Sequence, residues 1–443
     1  MLDSKANNSL WADQPTEERF LTLDSSLECD VAIIGGGFSG LWSAYHLLKL
    51  KPELRISIFE ANEIGFGASG RNGGWASSDY PVYRSTLIKR HGEEKVKLLF
   101  GALHQSIDEI GRFAASHAPQ ANFTKSGTML FARNSAQRAR LLNLVDDDHR
   151  WLDAKAASQL LDVAGIQGAL FNEECATVQP YELVMGLARY LSSAGVSIFR
   201  GARATATDHG VLVNSYAVTA PIVIHATEVF GSPGRNFIPL YSQMVATEPL
   251  SDELWQEIGA ESRFTFAEGS HLINYAQRTA DNRLAIGGRG ATYPWRSALH
   301  ETKEMTAEVH ERLRQLARSW FPSLNDVAFT HAWGGAVAIT RNWEPYLQWD
   351  RMRGVGRLGG YAGDGVTMSY LAAKIMATLI CDDRSELAEL HFVNQKIRQW
   401  EPEPLRYIAV NSLVKLSGVA DSEERLTGRP SVLNSIIAPL ILR

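Results

Sequence analysis

The chain has 443 residues, 44 Lys plus Arg against 49 Asp plus Glu, and a formal net charge of -5. Hydrophobic residues make up 45 % and charged residues 21 %, which excludes general disorder and supplies apolar material for two or three cores of roughly 150 residues each. A mildly acidic balance with no long Lys/Arg block excludes nucleic acid as a partner, because that binding needs clustered positive charge to displace counterions.

After a polar leader, residues 30–34 (DVAII) read as a short buried strand, with Gly35-Gly36-Gly37-Phe38-Ser39-Gly40 directly behind it. A helix then runs to about Leu50, with Leu41, Ala44, Tyr45 and Leu48 on one face. Residues 51–53 end it, and 55–59 (RISIF) form a second strand capped by Glu60, completing a β-α-β unit. From Glu93 to about His117, Leu99, Leu103, Ile107, Ile110 and Ala114 recur at helical spacing. A further helix around 180–193 precedes strands at 195–199, 210–213 and 222–227, all expected to return to one sheet. Strand-like pieces at 241–247, 272–276 and 284–288, followed by a helix with Val309, Leu313, Leu316 and Trp320 on one stripe, indicate a second, mainly antiparallel unit. The chain turns glycine-rich at 333–336 and again at 359–365, before a helix over about 366–381.

Cys29, Cys175 and Cys381 lie far apart without metal-ligand spacing, so neither a disulfide framework nor a metal site is expected. The first residues show no basic segment followed by an apolar one, and no run reaches the roughly 20 apolar residues of a membrane span; a cytoplasmic location is the expectation. Residues 431–442 (SVLNSIIAPLIL) are apolar, too short to span, and read as a docked tail or a peripheral contact.

Gly35, Gly37 and Gly40 fit G-x-G-x-x-G between a strand and a helix, and Glu60 follows about twenty residues on at the end of the second strand. The spacing has a physical cause. Gly35 allows the tight turn, Gly37 admits a pyrophosphate close to the backbone, and Gly40 lets helix and strand pack, while Phe38 and Ser39 open a helix whose N-terminus favours phosphate charge. Glu60, followed by Ala61, is placed to accept hydrogen bonds from ribose hydroxyls. This constellation indicates a dinucleotide site.

A second glycine-dense loop follows, Gly65-Phe66-Gly67-Ala68-Ser69-Gly70-Arg71-Asn72-Gly73-Gly74, and with it the chain resembles the D-amino-acid oxidase-like superfamily of FAD-dependent oxidoreductases. The loop is most similar to the gamma-glutamylputrescine oxidase branch, and glycine and sarcosine oxidases share the pattern. SQMVATEP (242–249), RLAIGGR (283–289), WGGAVAITRNWEP (333–345) and GYAGDGV (360–366) fall in the order that superfamily uses. The resemblance implies an α/β fold: a Rossmann-type FAD-binding domain of residues 27–90, 155–235 and 326–400, a mainly antiparallel substrate domain of 91–154 and 236–325, and an extension of 401–443. It implies FAD contacts at Gly67, Ala68, Ser69, Arg71, Asn72, Gly73 and Gly74, at Ala226 and Thr227 near the returning strand, and at Gly360, Gly363, Gly365, Val366 and Thr367. There the last glycine loop opens a helix facing the flavin.

Departures from the superfamily pattern matter. Asp364 stands where many relatives carry histidine; it either caps the helix that follows or points into the cavity to hold an ammonium. Glu228 replaces a glycine, which puts a close backbone contact in doubt. No histidine or cysteine stands where some relatives attach flavin covalently, so non-covalent FAD is expected.

The implied reaction is oxidation of a C-N bond: hydride leaves the carbon bearing a neutral amine for flavin N5, and the imine hydrolyses. The amine is a small molecule, and oxygen or an electron carrier reoxidises the flavin. No lysine lies in RLAIGGR, where some relatives place one to promote oxygen reaction, which tilts the expectation toward slow oxygen use. Candidate catalytic groups are Arg71, Arg289, Tyr361 and Asp364, with Arg289 either binding an acidic substrate group or forming an ion pair. Tyr275 and Trp333 are candidate walls of the amine site. His271 and His331 read as structural. Two rival readings keep the fold: oxidation of a 2-hydroxy acid or polyol phosphate, which calls for a base, and a flavin-binding partner subunit.

Overall fold

The computed structural model describes residues 9–13, 20–208, 210–231, 234–300 and 303–434. At its centre the strand Val31–Ile34, buried at all four positions, pairs in parallel with Ile56–Phe59 on one side and Ile222–His225 on the other. Ser197–Phe199 and Val355–Gly359 extend the sheet, and Tyr346–Asp350 closes it antiparallel, giving six strands. Such uninterrupted apolar strands require cover on both faces. Val31, Ile33, Ile56, Ile58 and Ile224 face one core, which holds Leu41, Trp42 and Leu47 of the helix Phe38–Leu50 and Leu371, Ile375 and Met376 of the helix Gly365–Ile380. Ala32, Ile34, Phe59 and Val223 face the other, against Val211, Val213 and Val218.

Those last valines correct one expectation. The strand Gly210–Val213 does not join the parallel sheet; it pairs with Ala204–Thr207 and Tyr216–Thr219 in a separate four-stranded sheet covering the opposite face. Short alternating segments joined by tight turns pair with each other before they pair with anything distant.

A second sheet has eight strands in the order Phe329–Thr340, Phe237–Thr247, Leu284–Arg289, Asn274–Arg278, Thr265–Glu268, Thr128–Ala132, Gly168–Asn172 and His149–Asp153. It is antiparallel except where Thr265–Glu268 meets Thr128–Ala132. The helix Ala307–Trp320 buries its Val309, Leu313, Ala317 and Trp320 stripe in the core of this sheet. Two of its strands, Gly168–Asn172 and Phe329–Thr340, come from segments expected in the FAD-binding domain. The glycine-rich WGGA stretch is therefore mid-strand: Phe329–Thr340 pairs along its length with Phe237–Thr247.

The helix Leu405–Thr427 docks on this second sheet's loops. Glu424, 1 % exposed, accepts from both terminal nitrogens of Arg140 at 3.0 Å and contacts His271 Nε2 at 2.8 Å. Asp421 accepts from the amides of His271 and Leu272 at 2.6 and 2.9 Å. Most of the apolar tail, 435–443, lies outside the described residues, and among those described no helix is long and apolar enough to cross a membrane.

Candidate active site

The turn after Val31–Ile34 is set by two glycines. Gly35 adopts φ +114°, and a Cβ there would sit 2.4 Å from the Ala226 carbonyl oxygen. A Cβ on Gly40 would sit 2.0 Å from the Gly35 oxygen, so only glycine lets the helix Phe38–Leu50 start this close to its strand. The Phe38 amide donates to Ser69 Oγ at 2.9 Å, which brings the second glycine-dense loop over the helix start. At the end of the neighbouring strand Glu60 accepts from the Gly36 and Asn62 amides at 2.8 and 2.9 Å. Burial raises its carboxyl above the ordinary value against the pull of those amides.

From these elements opens a cleft of about 1260 Å³, counting the open solvent at its mouth. Gly35, Gly37, Phe38, Ser39, Glu60 and Ala61 form one end of its lining. Gly67, Ala68, Ser69 and Asn72 form a side, and Ala226 and Thr227 another. Tyr361, Gly363, Gly365 and Val366 bring in the N-terminus of the helix Gly365–Ile380. Gly40, Arg71, Gly73, Gly74, Gly360, Thr367, Arg289 and Asp364 stand outside this lining. Thr367 Oγ1 is buried without a hydrogen-bond partner among the described residues. Asp364 holds the N-cap position but makes no capping bond, because at φ -90° and ψ 37° it lies outside the extended region an N-cap side chain needs to reach back.

Glu228, which stands in place of a glycine, is also in the lining. It adopts φ 45° and turns its carboxylate to the Gly360 amide at 3.1 Å and the Ala338 amide at 3.4 Å. Burial pushes its carboxyl up to about 7, against the lowering effect of those amides.

The loop 67–74 is held from the side of the eight-stranded sheet. Arg71 Nη1 donates to Glu304 Oε2 at 2.9 Å and to the Gly334 oxygen at 3.1 Å, and its guanidinium lies over the Phe66 ring at 4.7 Å. Its Nε and Nη2 are buried with no hydrogen-bond partner among the described residues. Trp333 Nε1 donates to the Arg71 oxygen at 3.0 Å. Gln277 Nε2 donates to the Gly73 oxygen at 2.6 Å. Tyr275 inserts its ring between loop and sheet: a Cβ on Gly73 would lie 2.5 Å from it and one on Gly287 2.4 Å, while its hydroxyl pairs with Ser242 Oγ at 2.8 Å.

Arg289 reaches from the sheet to the last glycine loop, donating through Nη2 to the Ala362 oxygen and lying over the Trp343 ring at 5.4 Å. His331 Nε2 contacts Asp13 at 2.6 Å, and His271 serves the C-terminal helix. Sequence reasoning missed Gln277, Glu304, Trp343 and the cleft-lining Arg203, Phe230, Ala336 and Ser369. Ala336 and Trp343 lie in the WGGAVAITRNWEP stretch (333–345) without being singled out, and the others carry no local pattern.

A family model described as "FAD dependent oxidoreductase" (DAO) matches residues 30–379. The gamma-glutamylputrescine oxidoreductase of Escherichia coli is 27 % identical over 382 residues, 82 % of this chain and 86 % of that protein. The glycine oxidase of Bacillus licheniformis is 24 % identical over 79 % of this chain and 92 % of its own. Among solved structures, glycine oxidase from Bacillus cereus superposes with a TM-score of 0.67 at 19 % identity, covering 84 % of this chain and all of its own, so the two share a fold.

Proposed function

The chain belongs to the DAO family of FAD-dependent oxidoreductases, and from that premise we propose that it oxidises the C-N bond of an amine carrying an acidic group, with FAD held non-covalently in the cleft. It is an oxidoreductase acting on CH-NH groups. The proposed substrates are an N-substituted amino acid, a gamma-glutamylated polyamine or another amino-alkyl acid. One observation carries the reading: the Gly35–Ser39 turn, Glu60 and the Gly365–Ile380 helix start converge on one cleft, and the neighbouring Arg71 keeps buried N–H groups without a partner among the described residues.

The cleft fits FAD on its own terms. A Cβ on Gly37 would lie 2.7 Å from Ser69 Oγ, so the backbone there is bare where a pyrophosphate would lie. Glu60 offers carboxylate oxygens for ribose hydroxyls, and the helix start at Gly365 offers positive dipole charge. Among the described residues lining the cleft there is no histidine or cysteine, which supports non-covalent binding, and no lysine, which supports slow oxygen use and reoxidation by an electron carrier. Bound there, FAD would supply the acceptor for the hydride leaving the carbon that bears the nitrogen.

The chain's own residues supply position. Arg71, whose Nε and Nη2 find no partner among the described residues, is the proposed contact for the anionic part of cofactor or substrate, and Arg289, anchored on Ala362, is the proposed second contact for an acidic substrate group. Tyr361, in the cleft lining, and Tyr275 and Trp333, packed against the loop 67–74, are the proposed aromatic walls that exclude water around the amine. A neutral amine needs no strong base once it is oriented, which accounts for a site without a triad or a carboxylate pair.

The test is product analysis. Acidic amines, simple amines and 2-hydroxy acids are incubated with the holoprotein and an artificial electron acceptor, and carbonyl and amine products are read by mass spectrometry. Cleavage of an acidic amine supports the reading; turnover of hydroxy acids alone replaces it.

A further inference from the structure

The residues that precede the family-matched segment touch the cofactor loop directly. Ser9 and Trp11 are 1 % and 5 % exposed, burial that a polar N-terminal segment does not acquire without a docking site. Ser9 Oγ donates to the Gly70 oxygen at 3.0 Å, and Trp11 Nε1 donates to the Asn72 oxygen at 2.8 Å. Between them the Arg71 oxygen is taken by Trp333 Nε1 at 3.0 Å, and Trp11 packs edge-on against that same indole, ring centroids 5.8 Å apart at 80°. Three consecutive carbonyls of the loop are thus each fixed by a different side chain. The segment is itself anchored at the middle and at the C-terminal side of its short turn: Gln179 Nε2 donates to the Trp11 oxygen at 2.7 Å, and Asp13 meets His331 at 2.6 Å.

In a planar trans peptide, carbonyl and following N–H point to opposite sides. Fixing the carbonyls of Arg71 and Asn72 on the strap's side therefore aims the amides of Asn72 and Gly73 the other way and sets the direction from which the Arg71 side chain leaves the loop. We infer that Ser9–Asp13 is a positioning strap for the flavin loop, and that Trp11 is its principal residue, acting through Asn72 and Trp333 to hold Arg71 and Asn72 in a cofactor-ready arrangement before the cofactor arrives. The inference rests on the FAD reading above. A loop so pre-ordered binds with less loss of conformational entropy, so the strap acts on affinity for FAD rather than on the stability of the sheets.

The experiment uses the full chain stripped of cofactor and titrated with FAD by flavin fluorescence, beside thermal unfolding of the apoprotein. Wild type, Trp11→Ala, Trp11→Phe and Ser9→Ala are compared. Trp11→Phe keeps an aromatic edge on Trp333 but lacks the indole donor, so it remains informative where Trp11→Ala does not fold. The expected result is an FAD Kd raised about tenfold in Trp11→Ala and a few-fold in Trp11→Phe and Ser9→Ala. The visible spectrum of bound FAD shifts in the same variants, while apoprotein unfolding temperatures stay within a few degrees of wild type. Unchanged FAD affinity and spectrum in folded Trp11→Phe and Ser9→Ala, or a fall in apoprotein stability with no change in Kd, would overturn the strap. A wild-type apoprotein that binds no FAD would instead remove the functional reading beneath it.

Discussion

Ser39 Oγ and the Tyr361 hydroxyl stand 2.9 Å apart, joining the start of the helix Phe38–Leu50 to the glycine loop that opens the helix Gly365–Ile380. Both helix starts face the cleft, so this hydrogen bond ties together two positive dipole ends whose helices also pack in one core. Burial pushes the Tyr361 hydroxyl up, keeping it a neutral donor or acceptor at working pH. Tyr361→Phe removes the tie at a net loss of about 1 kcal/mol, expected as a roughly fivefold rise in FAD Kd with the fold intact. Equilibrium titration of the apoprotein checks it.

Glu228 gives the apoprotein a pH signature. Its carboxyl, ordinarily near 4.5, is raised by burial to about 7. Between those values the folded chain holds a proton that the unfolded chain has released, so this group's contribution to stability is full below about 4.5 and declines as pH rises through 7. Glu228→Gln is expected to flatten that decline, as read by denaturant unfolding at a series of pH values. A decline of equal size in the variant would assign it to other groups.

Much of the fold, and of the cleft end formed by the first β-α-β unit, is legible in the sequence because its determinants are local. Gly35, Gly40 and Glu60 lie within one β-α-β unit, and the spacing of the unit is the constraint. The loop 67–74 is held in place by pairs such as Arg71 with Glu304, Gly73 with Tyr275 and Asn72 with Trp11, which no periodicity relates. Strand pairing is hidden in the same way. The pattern of 210–213 marks a strand but not its partner, and the WGGA glycines look like a loop although they sit mid-strand to admit neighbours, Gly334 lying against the Glu304 carbonyl. Asp364 shows a third limit: its residue type suits a cap, while the backbone angles imposed by the flanking glycines do not.

Gly73 and Gly287 leave room for one ring. Replacing Gly73 by Ala puts a methyl group 2.5 Å from the Tyr275 ring, so ring or loop must move. The expected outcome is a fall in kcat/KM of about tenfold or more from misplacement of the site wall, with near-normal secondary structure by circular dichroism. Tyr275→Leu in the Gly73→Ala background, which relieves the clash, is expected to restore FAD binding but not full activity.

Docking of the C-terminal helix depends on Glu424. Burial opposes its charge, but the hydrogen bonds from His271 and Arg140 outweigh burial and hold the carboxyl down to about 2. Its stabilisation is therefore complete above the ordinary value of 4.5 and is lost as pH falls toward 2. Glu424→Ala leaves Arg140 unpaired on that side and is expected to cost about 3 kcal/mol of docking free energy. Hydrogen exchange of 405–427 reads it directly: faster exchange in the variant at neutral pH, and in wild type only in acid.

The most direct measurement is anaerobic bleaching of the purified flavoprotein by a panel of amines, acidic amines and 2-hydroxy acids, followed by admission of air. Loss of the yellow flavin band with an acidic amine, and slow recolouring in air, is the predicted result. Bleaching by hydroxy acids alone, or by nothing in the panel, would contradict it.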